Sequence, residues 1–356
     1  MERSSPVIGT FLTLWAVLVI RGQCHTPFFI FGDSVLDAGN NQYYPLSDQP
    51  KPRMPYGETY FHYPSGRSCD GRIIPDFLAQ YANLTLIEPY LEPEFNNYTD
   101  GANFASAGAG VFPETNPKTI HLKLQLSYFE EMNNKLEPEA AQELLSKAVY
   151  FFSIGGNDYM NVGMPPLPEN GTRVALASSY RKQYVKAVLG NITSVVKKVY
   201  EMGGRKFLFQ TVGPLGCMPL SRWISGSECI ANVTILAKMH NKRLSIVLWE
   251  LEDTLPGFKC AVFDYYSALL EMSKYPSNFG FTEGQRACCG SGNFNGEFTC
   301  GDNETGYNLC SDPSQYVWFD AAHPTESANN YLSSLFWNGS LEVVWPRNAK
   351  ALFEMP

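Results

Sequence analysis

Five short apolar runs punctuate the chain at wide intervals: residues 27–31 (PFFIF), 101–105 (GANFA), 148–154 (AVYFFSI), 206–212 (KFLFQTV) and 260–265 (CAVFDY). Runs so short and so continuously apolar suit strands covered on both faces, the environment of a parallel sheet. Between them, apolar positions recur at helical spacing. Val233, Leu236, Ala237, His240, Leu244, Val247, Leu248 and Leu251 form one stripe. Ala328, Tyr331, Leu332, Leu335 and Phe336 form another, with Pro324 near its start. Strands alternating with helices predict an α/β fold, a doubly wound sheet with helices on both faces. No repeat or Ser/Gly linker divides it, so residues 25–356 read as a single domain. Two stretches, 40–72 and 277–315, carry neither pattern and are long for plain connections, which marks them as functional or stapled.

The N-terminus reads differently. Arg3 precedes fourteen uncharged residues, 7–20, that end at Arg21. This is the length of a signal-peptide core and too short to span a bilayer comfortably. Small residues Gly22 and Cys24 suit cleavage, so residues 1–24 are expected to be removed, with a cut after Gly22 as the rival. No other run is long and apolar enough to cross a membrane. The mature chain is therefore expected to be soluble and secreted.

Composition narrows the class. Charged residues make up 17%, hydrophobic residues 44% and aromatics 14%, which excludes a disordered chain. The 27 basic and 35 acidic residues leave a net charge of −8 without a basic stripe, arguing against nucleic acid and anionic membrane surfaces as partners. Nine cysteines less Cys24 leave eight, an even number that suggests disulfides in an exported chain and no free thiol. Cys217 and Cys229 bracket a short loop and are expected to pair. Cys288, Cys289, Cys300 and Cys310 are expected to pin the 277–315 loop at two points. No C-x-x-C pair supports a zinc site. Sequons begin at Asn83, Asn97, Asn170, Asn191, Asn232, Asn303 and Asn338, whose side chains are expected to face solvent as glycan sites.

In a parallel α/β sheet, chemistry gathers at the C-terminal strand ends. After the first run comes Gly32-Asp33-Ser34, where a strand is expected to hand over to a helix and expose the hydroxyl. Ser34 is there either a nucleophile or a helix cap. A nucleophilic serine needs a base. His25 is terminal, His62 lies in an aromatic loop, His121 precedes a helical run and His240 sits on an apolar stripe. His323 differs, following Asp320 by three residues, so that carboxylate and imidazole can lie side by side. The competing reading of Asp320 is a helix cap. Two turns offer oxyanion donors: 103–110 (NFASAGAG), small enough for a backbone N–H to approach substrate, and 154–158 (IGGND), with the Asn157 amide.

Together these blocks resemble the plant GDSL esterase/lipase family within the SGNH hydrolase superfamily. F-G-D-S-x-x-D-x-G-N-N is complete over residues 31–41, as are G-G-N-D and D-x-x-H-P-T. In the second block Ala107 replaces a usual glycine. The likeness extends to residues 55–57, 66–67, 70–72, 212–217 and 287–290, nearly the whole mature chain. It implies a three-layer α/β/α sandwich with a five-stranded parallel sheet. It implies Ser34 as nucleophile, His323 as base, Asp320 as its acid, and Gly108 and Asn157 as oxyanion donors. The expected protein is a secreted serine esterase acting on small or lipid esters through an acyl-enzyme, without cofactor or metal. The alternatives are an acyltransferase using the same acyl-enzyme with an alcohol acceptor, and a non-catalytic secreted binding protein. No oligomeric state follows from the residues.

Overall fold

The computed structural model describes residues 25–48, 52–164 and 175–356, so the expected leader and the Asn170 sequon lie outside the described residues. Strands β1 (Phe28–Gly32), β2 (Gly101–Asn103), β3 (Val149–Ser153), β4 (Lys206–Gln210) and β5 (Lys259–Phe263) form one sheet in the order 2-1-3-4-5. All neighbouring pairs among them are parallel. A sixth strand, Val344–Trp345, adds an antiparallel edge beside β5. Two residues are too few to register as a strand in a hydrophobic pattern.

Strand alternation splits the aromatic residues between two cores. Phe29, Phe31, Tyr150, Phe152, Phe207 and Phe209 face the helices Leu122–Asn134, Ser178–Glu201 and Ala231–Thr254. Phe28, Ile30, Phe151, Leu208 and Phe263 face the helices Ile74–Tyr81, Tyr265–Lys274 and Glu326–Asn338. On the first face Phe31, Phe152 and Phe209 stack across three strands, with ring centroids 4.8 and 5.7 Å apart. Three layers result, and the loops that leave the parallel strands meet at the sheet's C-terminal edge.

The two long irregular stretches are fastened to this frame. Arg67 makes a buried bidentate pair with Asp76, both contacts at 2.8 Å. Arg72 reaches Glu326 at 2.7 Å. The cysteine-rich loop carries two bridges, Cys288–Cys310 and Cys289–Cys300, and Cys217–Cys229 forms a third.

Two expectations are corrected here. Cys69 and Cys260 are free and buried, contrary to full pairing. They are held apart by different surroundings: Cys69 lies beside Asp70 and Asn329, while Cys260 sits on β5 beside Glu252. An even count permits complete pairing without requiring it. Nor does every sequon face solvent. Asn83, Asn97, Asn191, Asn303 and Asn338 are exposed, but Asn232 is buried and its Oδ1 accepts the Leu176 N–H at 3.1 Å. Asn232 lies one turn before Leu236 on the apolar stripe of its helix, and the sequon pattern carries no information about which face that is.

Candidate active site

With strand order 2-1-3-4-5 the topology reverses between β1 and β3, and a crevice forms outside their C-terminal ends. Ser34 follows β1 and Asn157 follows β3, so both open onto this crevice. A Cβ on Gly32 would stand 2.5 Å from the Ser153 carbonyl oxygen, so only glycine lets β1 leave the sheet so tightly. Beyond it the Leu36 and Asp37 N–H groups donate to the Asp33 carbonyl at 3.1 and 3.0 Å, closing a turn with Ser34 at its tip. This corrects the expected strand-to-helix handover. The Asp37 carboxylate captures the Gly39 and Asn40 N–H groups at 2.7 and 2.8 Å, and Gly39 takes φ 126°, so the chain cannot continue as a helix. The next α-helix is Ile74–Tyr81.

Ser34 Oγ lies 2.7 Å from His323 Nε2, and His323 Nδ1 lies 2.8 Å from Asp320 Oδ1. The strand Tyr316–Trp318 delivers both residues, and Thr325 caps the helix that follows, Glu326–Asn338, by accepting the Ala328 N–H. Asp320 Oδ1 also accepts the Ala322 and His323 N–H groups at 2.9 and 2.8 Å. It is therefore a local cap and a partner of the imidazole at once. Tyr56 donates its hydroxyl to Asp320 Oδ2 at 2.8 Å, a contact absent from the sequence reading. The disulfide-pinned loop supports the same strand end, because the Cys288 and Cys289 N–H groups donate to the Trp318 and Phe319 carbonyls at 2.9 and 2.7 Å.

Gly108 and Asn157 line the same cavity as Ser34. Gly108 takes φ 78°, within a loop stitched from both sides. Asn40 donates to the Asn103 and Ala105 carbonyls, each at 2.8 Å, and Asn41 donates to the Ala107 carbonyl at 2.8 Å. Asp37 Oδ2 accepts the Ala107 N–H at 2.8 Å, and Asp158 Oδ2 accepts the Val111 N–H at 2.9 Å. The signal that marks Asp37, Asn40, Asn41 and Asp158 in the sequence is their place inside F-G-D-S-x-x-D-x-G-N-N and G-G-N-D. Gly155, at φ 113°, opens the helix Gly156–Gly163, so the G-G-N-D run is a helix start rather than a simple turn. One Asn157 amide hydrogen is committed to the Ala109 carbonyl at 2.9 Å, which leaves the other for a ligand.

Two of the other histidines serve structure. His121 caps the helix Leu122–Asn134. His240 is buried against the Tyr159 hydroxyl at 2.7 Å, and burial pushes its pKa down to about 3. At His323, burial opposes the charged ring, but the Asp320 charge and hydrogen bond, with a further contribution from Asp33, outweigh it and raise the pKa above the ordinary value. At Asp320 burial favours the neutral acid, and the His323 charge and hydrogen bonds reverse this, so its pKa is lowered. Asp33 is raised to about 7 by burial, against a hydrogen bond from the Val35 N–H. The arrangement can pass a proton from a hydroxyl to an imidazole backed by a fixed anion.

The cavity measures about 490 Å³ and is walled largely by apolar side chains, among them Met160, Met164, Leu215, Met218 and Leu269. Among the described residues no group of three or more His, Cys, Asp or Glu is placed to hold a metal ion, and no helix is long and apolar enough to cross a membrane.

Residues 28–336 match the family described as GDSL-like lipase/acylhydrolase. The chain is 44% identical over 342 residues to a GDSL lipase of Tanacetum cinerariifolium, covering 94% of this chain and 90% of that protein. It is 41% identical over 379 residues to GDSL esterase/lipase 1 of Arabidopsis thaliana, with 100% of each covered. To GDSL esterase/lipase 5 of the same plant it is 40% identical over 348 residues, covering 93% and 88%.

Proposed function

The chain belongs to the GDSL-like lipase/acylhydrolase family and is a carboxylic ester hydrolase, and on that premise we propose that it is a secreted serine enzyme working through an acyl-enzyme on Ser34. The observation that carries this reading is the continuous chain from Ser34 Oγ through His323 to Asp320, with contacts of 2.7 and 2.8 Å. With Nδ1 donating to Asp320, Nε2 is free to accept the Ser34 proton as Oγ bonds to the ester carbonyl carbon. The oxyanion that forms is held by the Ser34 and Gly108 N–H groups and the Asn157 amide. Collapse breaks the carbonyl–alkoxy bond, and His323 returns the proton to the departing alcohol. A water, deprotonated in turn by His323, then attacks the acyl carbon, and the Oγ–acyl bond breaks as His323 returns the proton to Ser34, releasing the acid. No step calls for a cofactor.

Export is supported by the uncharged run at residues 7–20, by three disulfides and by five exposed sequon asparagines in the mature domain 25–356. The second reading, acyl transfer, is favoured by the apolar walls around Met160, Leu215 and Met218. Walls that limit water let an alcohol seated in the cavity intercept the acyl group. The substrate in either case is a small-molecule or lipid ester. The test is turnover of an acyl-ester panel by wild type and Ser34→Ala, with and without acceptor alcohols, alongside labelling by a serine-directed phosphonate. Loss of about a million-fold in rate and of labelling is expected in the variant. Retained turnover removes Ser34 from the role.

A further inference from the structure

Tyr56 stands on a loop with its own anchors. The Gly57 N–H donates to the Cys69 carbonyl at 2.9 Å, and the Gly57 carbonyl accepts the Phe61 and His62 N–H groups, each at 3.0 Å. Thr59 donates its hydroxyl to Asp70 Oδ2 at 2.6 Å, and Asp70 Oδ1 accepts the Glu326 N–H at 2.8 Å. Asp70 thus ties this loop to the start of the helix that follows His323. The Tyr56 ring meets Phe319, the neighbour of Asp320 in the chain, edge-on with centroids 5.2 Å apart. Asp320 is buried, and its two oxygens are served unequally. Oδ1 accepts the Ala322 N–H, the His323 N–H and His323 Nδ1. Among the described residues, Oδ2 receives the Tyr56 hydroxyl at 2.8 Å and a longer approach of His323 Nδ1 at 3.0 Å. The phenol stays protonated and donating, because burial and the Asp320 charge push its pKa well above the ordinary value.

We propose that Tyr56 is a positioning residue of the reaction: its hydroxyl holds Asp320 Oδ2, so that His323 Nδ1 stays on Oδ1 and Nε2 stays aimed at Ser34 Oγ. The inference rests on the acyl-enzyme reading above. A buried carboxylate oxygen stripped of its donor is costly. Without the hydroxyl, Oδ2 competes for Nδ1, the imidazole turns, and Nε2 leaves its 2.7 Å contact with Ser34. The hydroxyl also withdraws charge. Its hydrogen bond helps to lower the Asp320 pKa. Removing it leaves more negative charge facing the imidazolium, which raises the His323 pKa. The other titratable groups that act on His323 and Tyr56 are Asp33 on the former, and Arg53 and Cys69 on the latter. Tyr56→Phe leaves each of these in place.

The test compares wild type and Tyr56→Phe on a soluble ester across pH, with melting curves to show that both are folded. The variant is expected to lose about tenfold in kcat, the scale of one hydrogen bond to a charged group, with KM little changed. The acid limb of its kcat/KM profile should lie at higher pH than that of wild type. In the Asp320→Asn background, where the amide turns its NH₂ toward Tyr56, the same substitution should change neither quantity. An unchanged kcat, a limb that stays in place or moves to lower pH, or an equal loss in both backgrounds overturns the assignment. Should Tyr56→Phe not fold, Tyr56→Met, which also lacks the donor, is judged by the same outcomes. Failure of the acyl-enzyme reading shows separately, as ester turnover retained by Ser34→Ala, whatever Tyr56→Phe does.

Discussion

Asp320→Asn perturbs the proposed triad at its most heavily bonded member. Four donors point at this carboxylate: the Ala322 N–H at 2.9 Å, the His323 N–H at 2.8 Å, His323 Nδ1 at 2.8 Å and the Tyr56 hydroxyl at 2.8 Å. A carboxylate accepts on both oxygens, whereas an amide has one oxygen and an NH₂. If the amide oxygen keeps the two backbone donors, its NH₂ faces Tyr56 and the imidazole. Nδ1 then becomes the acceptor, the ring proton moves to Nε2, and Ser34 meets a donor where it needs a base. A tautomer reversed in this way costs about 10⁴ in kcat, or roughly 5 kcal/mol of transition-state stabilisation. The charge effect has its own sign. Burial lowers the His323 pKa and Asp320 raises it, with a net rise. The neutral ring is the active form, so wild-type activity falls as pH drops through this raised value. With Asn in place the raising charge is gone, and the residual activity persists to lower pH. The assay is a pair of kcat/KM profiles on a soluble ester between about pH 4 and 9, with melting curves to show that both proteins are folded. Profiles that coincide in height and midpoint refute the assignment, and would leave Asp320 as the cap of the Ala322–His323 turn with the acid elsewhere.

Asn157→Ala is expected to lower kcat by on the order of 10²–10³ with little change in KM, because the amide is proposed to bind charge present only in the transition state. An unchanged kcat would reduce Asn157 to a helix-start residue tied to Ala109. In the chain lacking residues 1–24, thiol titration after denaturation without reductant should find two groups, Cys69 and Cys260, and none in the native protein, since both are buried. Any other denatured count contradicts the pairing. Asp33→Asn should move the acid limb of kcat/KM to lower pH, because the Asp33 charge helps to raise the His323 pKa. A limb that stays in place or moves upward rejects that coupling.

Much of this protein follows from local patterns. Five strand runs were legible because a strand buried on both faces must be continuously apolar, and the helical stripes because one face of each helix must meet the sheet. Once strands and helices alternate in a parallel sheet, reactive residues gather at the carboxyl ends, which is how Ser34 and Asn157 were located. Asp320 and His323 were legible as a pair because their three-residue spacing makes the contact almost local. Other features depended on which distant segments the topology brings together. Tyr56 meets Asp320 across 264 positions, and Asp37 meets Ala107 across 70. Gln125 bonds the N–H and carbonyl of Gly32 at 2.9 and 2.8 Å across 93 positions, filling the sheet edge where β2 has already ended. The same limit hid that Cys69 and Cys260 stay unpaired and that Asn232 is buried. Hydrophobic periodicity encodes the face a residue presents within its own element. It does not encode what stands opposite that face, and a hydrogen bond or disulfide needs both partners within a few ångströms, a condition only the assembled sheet and its loops can meet.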